Sequence, residues 1–358
     1  MQVHQFYANM QFRLYTIVFL MLLVLSCDSS NESDVIEMTV AGTAIPNTVG
    51  EEHFLNFKKE VDAQSEGTLK LKMLVHGQLG SEENLVSGLR RNRVHFANLS
   101  AIITSTLIPE TALLYAPYLF DNEEEADFVY DNYLTQIFTE LLAAKGLQFI
   151  SWSEIGFHNV YGKEPILFPE DAKGKRYRVS ASLSSRYFAE AIGADLIPMG
   201  YAEIVQSLQT GLIEAGDNSV ALYAKRGIDQ EAPYYTLTRH SLGMSIMVAR
   251  KVWWDELTAR QQQLIKDAWP GTTILRQSLR AEVASDLANA VSLGIVVHEL
   301  SEANRELWKQ ATKGQTERLA DEIGGHAREV LNLISEGKKQ FHPLDAVQHI
   351  LQSILPQQ

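Results

Sequence analysis

Hydrophobic positions follow two rhythms in the first hundred residues. Leu69-Lys70-Leu71-Lys72-Met73-Leu74-Val75 alternates with period two, which predicts a strand with one buried face, and Glu37–Ala41 repeats that rhythm more briefly. Between them, over Gly50–Ser65, Phe54, Phe57 and Val61 recur on one helical face, with Gly67 placed as a C-cap. Gly77–Ser81 is a turn into a second helix, with Ser81 as N-cap and Glu82 and Glu83 in the first turn. Val94–Leu99 then returns as a strand. The order β-α-β-α-β predicts an α/β fold with a parallel, helix-covered sheet.

The later chain keeps the same grammar. Asn122 caps an amphipathic helix running to Lys145 and closed by Gly146. Leu147–Trp152, Gly156–Tyr161, Lys173–Ser180, Leu212–Asn218, Met244–Ala249 and Ile295–His298 read as strands. Ser184–Ile192 and Ala202–Thr210 read as helices ended by Gly193 and Gly211. Thr258-Ala259-Arg260-Gln261 is a capping box that opens a helical tract to Ser292, interrupted or kinked at Pro270-Gly271. Glu302–Ile323, Ala327–Glu336 and the apolar tail to Gln358 complete the helices.

Length and composition narrow the class. A chain of 358 residues suits two domains or one large α/β body, and 46% hydrophobic with 21% charged residues is ordinary for a globular protein. The net charge of −13 argues against a nucleic-acid partner. Residues 1–26 stand apart: Arg13 precedes the apolar run Leu14–Leu25, which is short for a membrane span and reads as a signal peptide. Val24-Leu25-Ser26-Cys27 resembles a bacterial lipoprotein box, which would make Cys27 the lipidated residue and tie the protein to a membrane. Residues 27–35 follow as a polar tether, in which Asp28 resembles an inner-membrane retention signal. Met10 competes with Met1 as the start, because residues 1–12 carry no Lys or Arg. Cys27 is the only cysteine, so the chain has no internal disulfide and no cysteine metal site.

Chemistry-bearing motifs are sparse. The sequence has no phosphate loop, no dinucleotide fingerprint, no nucleophile elbow and no zinc-helix spacing, so neither a cofactor nor a metal is expected and nothing nominates a nucleophile with its base. Glu123-Glu124-Glu125 suits a helix start, and Trp253-Trp254 suits core packing. The stretch Lys173–Ser180 is more suggestive. Alternation places Tyr177 and Val179 on one face of its strand and Arg176 and Arg178 on the other. Two arginines on one face fit either an anionic partner or a solvated edge.

A series of motifs in register bears on that choice. Gly77-Gln78-Leu79-Gly80, Ala116-Pro117-Tyr118-Leu119-Phe120, Pro169-Glu170-Asp171 with Gly174-Lys175 and Arg178-Val179, Gly193-Ala194, Pro198-Met199, Leu208-Gln209-Thr210-Gly211 and Asp217-Asn218 occur in this order. Together they resemble the DctP-type solute-binding proteins of TRAP transporters. The resemblance implies a two-lobed periplasmic-binding-protein-like fold with a mixed sheet in each lobe, hinge strands and a long helix crossing both. It places 36–155 with 244–283 in one lobe, and 156–243 with 284–358 in the other. It also implies capture of a small organic acid in the inter-lobe cleft and delivery to the permease subunits of a TRAP transporter, with a membrane sensor as the alternative destination.

Residue by residue, the resemblance makes Arg178 the carboxylate grip and Asn218 a hydrogen-bonding partner of the ligand. Tyr201 would cover the ligand, Ser100 would contact it, and Trp152 would lie with Gly156 at the lobe crossover. Arg176 matches no family position and reads as a surface charge. At Gly156-Phe157-His158 the chain departs from the family's glycine, aromatic, arginine: His158 stands where a second cation commonly helps hold the anion.

Overall fold

The computed structural model describes residues 35–342. The signal peptide, the tether with Cys27 and the expected last helix of the tail lie outside the described residues. Nine strands form one mixed sheet: β1 (Ile36–Ala41), β2 (Leu69–Leu74), β3 (Phe96–Ser100), β4 (Leu147–Gly162), β5 (Arg176–Val179), β6 (Asp195–Pro198), β7 (Ala215–Ser219), β8 (Tyr234–Arg250) and β9 (Val296–Glu299). Their order is β2-β1-β3-β8-β4-β7-β5-β6, with β9 beside β8.

The predicted β-α-β-α-β unit is present. β1 pairs in parallel with both β2 and β3, and the helices Val49–Gln64 and Glu82–Arg90 supply the crossovers. Lys70 and Lys72 keep the edge strand β2 solvated on its outer face while Leu69 and Leu71 are buried. Phe54, Phe57 and Val61 pack with Phe96, Trp253 and Trp269 in one of two cores in this half. The other half is built on β4, β7, β5 and β6, with one core on each face, around Tyr177, Phe188 and Trp308 and around Tyr161, Tyr223 and Tyr235.

β4 and β8 belong to both halves. β4 was expected as two strands and only Met244–Ala249 of β8 as strand, but they run 16 and 17 residues and pair antiparallel along their lengths. The two lobe sheets are therefore one continuous ladder. Gly156 faces Gly243 where the halves meet. Gly156 holds φ +89, and a Cβ on Gly243 would stand 2.9 Å from the Gly156 carbonyl oxygen, so both positions suit glycine. A little further on, Asn159 of β4 stands opposite four residues of β8, Leu237 to His240. Arg239 takes a left-handed φ of 44 there, and its N–H donates to Asn159 Oδ1 at 2.9 Å. This bulge turns His240 inward.

The helix Thr272–Ser292 spans both halves, and Pro270-Gly271 is a full break before it. Arg280 pairs with Asp127 (2.8 Å) and Glu154 (2.6 Å) in the first half, and Glu282 and Asp286 take Lys225 of the second at 2.9 and 2.8 Å. Three predicted helices differ in detail. The Asn122-capped helix carries a π turn at Tyr130–Leu134, Glu302–Ile323 is two helices parted at Gly314 (φ 82), and the Ser81 side chain caps nothing.

Candidate functional site

The site grows from β5. Tyr177 and Val179 are buried, as alternation requires, and the Tyr177 hydroxyl donates to Asp217 Oδ1 at 3.4 Å. The two arginines part company. Arg176 is exposed, paired with Glu214 at 3.1 Å and bonded to the Gly211 carbonyl. Arg178 is 7% exposed. Its Nη2 donates to the Met199 carbonyl at 3.3 Å, its Nε has no partner, and it makes no ion pair among the described residues. Gly216 makes room for it: a Cβ there would fall 2.6 Å from Tyr161 Cζ and 3.2 Å from Arg178 Cβ.

Asn218 lies two residues beyond Gly216 on β7 and so shares its face. The Asn218 Oδ1 accepts from Ser219 N at 3.1 Å, while its Nδ2 is buried without a partner. A buried donor left unpaired is costly, and Arg178 and Asn218 each hold one.

His158 and Asp217 meet from β4 and β7. His158 Nδ1 lies 2.8 Å from Asp217 Oδ2, and the His158 ring sits edge-on to Tyr115. His240, delivered by the β8 bulge, stacks on Phe188 at 3.7 Å and holds Nδ1 2.9 Å from the Thr238 hydroxyl. Its Nε2 stands 3.8 Å from Asp217 Oδ2. Burial, helped by the neighbouring His158, pushes the His240 imidazole down to about 3 against the pull of Asp217, so it is neutral near pH 7. Burial alone would raise Asp217, but the His158 hydrogen bond, the neighbouring imidazoles and Arg178 together outweigh it and hold the carboxyl below its ordinary value.

Arg178, His158, Asp217 and His240 line one cavity of about 20 Å³, with Ile102 and Tyr115 contributed by the first half. That volume suits about one water molecule, so the two halves are closed together over the site. A cavity of about 620 Å³ lies elsewhere, between the 118–124 segment and the helix Glu302–Ala311. Its cations are engaged: Lys309 with Asp121 at 3.1 Å, Arg239 with Glu299 at 3.0 Å, and Arg305 with the Thr238 carbonyl at 3.0 Å. Size favours that cavity, but the unpaired charge is in the smaller one, which is the candidate site.

Asn218, though on the Arg178 face of the sheet, is absent from the cavity wall, and three more expected residues stand apart from this cluster. The Ser100 hydroxyl donates to Glu82 Oε2 at 2.6 Å and accepts from Ile103 N, so it caps a short helix. Trp152 is buried among Tyr130, Phe138 and Phe149, with Nε1 donating to the Thr135 hydroxyl. Tyr201 donates to the Leu222 carbonyl at 2.7 Å and is absent from the cavity wall. Conversely, Asp217, Tyr115 and His240 line the site without having been singled out as ligand contacts. Asp217 belongs to the Asp217-Asn218 motif, in which Asn218 alone is expected to contact the ligand. His240 had no local signal, because its position depends on the bulge.

Two α/β halves, two strands passing between them and an unpaired cation at their junction define a solute-binding protein. The family model for DctP, described as bacterial extracellular solute-binding protein, family 7, matches residues 40–322, and the chain belongs to that family. A solute-binding protein of Chromohalobacter salexigens is 25% identical over 283 residues, covering 78% of this chain and 82% of that one. The ectoine-binding periplasmic protein TeaA of Halomonas elongata is 24% identical over 282 residues, covering 77% and 82%. The sugar acid binding protein DctPAm of Advenella mimigardefordensis, solved in complex with galactonate, superposes with a TM-score of 0.78 at 25% identity, covering 84% of this chain and 98% of that structure. The family is one of extracellular solute-binding proteins, and TeaA is a periplasmic one.

Proposed function

We propose that this protein captures a small organic acid between its two halves, with Arg178 gripping the carboxylate, and delivers it to the membrane subunits of a TRAP transporter. One observation carries the reading: a buried guanidinium with no carboxylate partner and a free Nε. A guanidinium fork fits a carboxylate through two parallel hydrogen bonds, and a buried charge left alone is costly enough to demand such a partner. The free Asn218 amide adds a donor on the same sheet face. The galactonate-bound relative is a precedent for a sugar acid in this fold. Ser100, Trp152 and Tyr201 serve as framework around the ligand. Residues 36–155 with 244–283 form one lobe and 156–243 with 284–358 the other, hinged where Gly156 meets Gly243. Cys27 carries the lipid that holds the protein at the periplasmic face of the inner membrane.

Isothermal titration calorimetry against monocarboxylates, dicarboxylates, sugar acids and keto acids tests the grip. Arg178→Ala should lose roughly 3–5 kcal/mol of binding, which takes most ligands out of range. Arg178→Lys keeps the charge, loses the fork, and should bind at least about tenfold more weakly. Unchanged affinity in Arg178→Ala would remove the carboxylate role.

A further inference from the structure

We infer that the cleft selects a hydroxy acid with a single carboxylate over a dicarboxylate of the same length, and that Asp217 is the residue that discriminates. This deepens the proposed function and rests on Arg178 as the carboxylate grip.

The argument is a count of charges around the cavity. Arg178 is the one Lys or Arg in its wall, and it is unpaired. The imidazole of His158 is already committed to Asp217 at 2.8 Å. His240 is neutral and too far from Asp217 to bond it. One ligand carboxylate therefore takes the free guanidinium of Arg178, while the His158 ring stays hydrogen-bonded to Asp217 and is not available to a second. A second carboxylate would enter a buried site with no cation to receive it and would face the resident Asp217 anion. Removing two like charges from water into one small space is unfavourable without a counter-charge.

The same carboxylate favours hydroxyls. An ionised Asp accepts hydrogen bonds only, and His158 and Tyr177 use part of its capacity, leaving lone pairs for a ligand O–H. Ser180, Ser184 and Ser241 add hydroxyls to the wall. Substitution of a ligand hydroxymethyl end by carboxylate exchanges a donor for a charge of the wrong sign.

Chain-matched probes test this: gluconate against glucarate and glycerate against tartronate, titrated calorimetrically into the mature protein, Asp217→Asn and Arg178→Ala. In the wild-type protein the monocarboxylate member should bind at least about tenfold more tightly. In Asp217→Asn that preference should shrink to about threefold or less, with an unchanged circular dichroism spectrum and cooperative thermal unfolding as proof of folding. Equal or tighter dicarboxylate binding by the wild-type protein overturns the inference, and that comparison does not depend on the variant. A wild-type preference that persists undiminished in Asp217→Asn overturns the assignment to Asp217. If no acid binds, or Arg178→Ala binds as the wild type does, the carboxylate grip itself fails, and the selectivity fails with it.

Discussion

Arg176 and Arg178 lie two residues apart on one strand and reach opposite circumstances. Arg176 finds Glu214 at the surface, while Arg178 is carried under Gly216 and Tyr161 with no anion. Alternation puts them on one face but says nothing of how that face is covered along its length. His240 shows the same limit. It lies in an undistinguished Thr-Arg-His-Ser run, and the bulge alone brings it against Phe188 and Asp217. A pH dependence follows. The folded imidazole is held near 3, below its ordinary 6.5, so its contribution to stability is complete above pH 6.5 and lost as pH falls toward 3. Between pH 6.5 and 4 this amounts to about 3 kcal/mol at about 1.4 kcal/mol per pH unit. His240→Gln should therefore show a shallower fall in thermal stability over that interval, measured by differential scanning calorimetry. An equally steep fall would assign the acid lability to other groups.

At the scale of elements, β4 and β8 decide the architecture. Their outer ends were readable: Leu147–Trp152 and Met244–Ala249 show apolar patterns that suit the core they enter. The stretch Tyr234–Gly243 was not read as strand, because its Thr, Arg, His and Ser residues break the rhythm. Thr238, His240 and Ser241 are buried with polar partners, Thr238 with His240 and Ser241 with the Tyr115 carbonyl, and a pattern of apolar residues cannot report that. The π turn at Tyr130–Leu134 was hidden for a related reason. It depends on the Thr135 hydroxyl bonding the Tyr130 carbonyl and receiving Trp152 Nε1 from another strand. The glycine pair at the crossover supports a stability prediction. In Gly243→Ala the added methyl meets the Gly156 carbonyl, which is backbone and cannot turn away. The variant should lose about 1–3 kcal/mol in urea unfolding. No loss would mean the two strands separate there more easily than their pairing suggests.

For the whole molecule, the expected two-lobed α/β form and the membership of the DctP family agree, and no helix among the described residues is long and apolar enough to cross a membrane. The proposed lipid anchor at Cys27 has a direct test. Cys27→Ser should move the mature protein from the membrane pellet to the soluble periplasmic fraction, read by immunoblot of fractionated cells. Unchanged partition would leave the cysteine without a role in anchoring. By itself the sequence determined the element order, the parallel unit at the start, the break at Pro270-Gly271, the family and the identity of Arg178 as the residue to watch. These depend on local periodicity, backbone chemistry and motif order, all of which are properties of neighbours along the chain. Tertiary structure alone decided that β4 and β8 join the halves into one sheet, that Ser100 and Trp152 are bonded elsewhere, and that His158 is held by Asp217. Those outcomes follow from strand register and from which polar groups meet across 17 to 59 residues of chain, separations at which sequence spacing carries no distance.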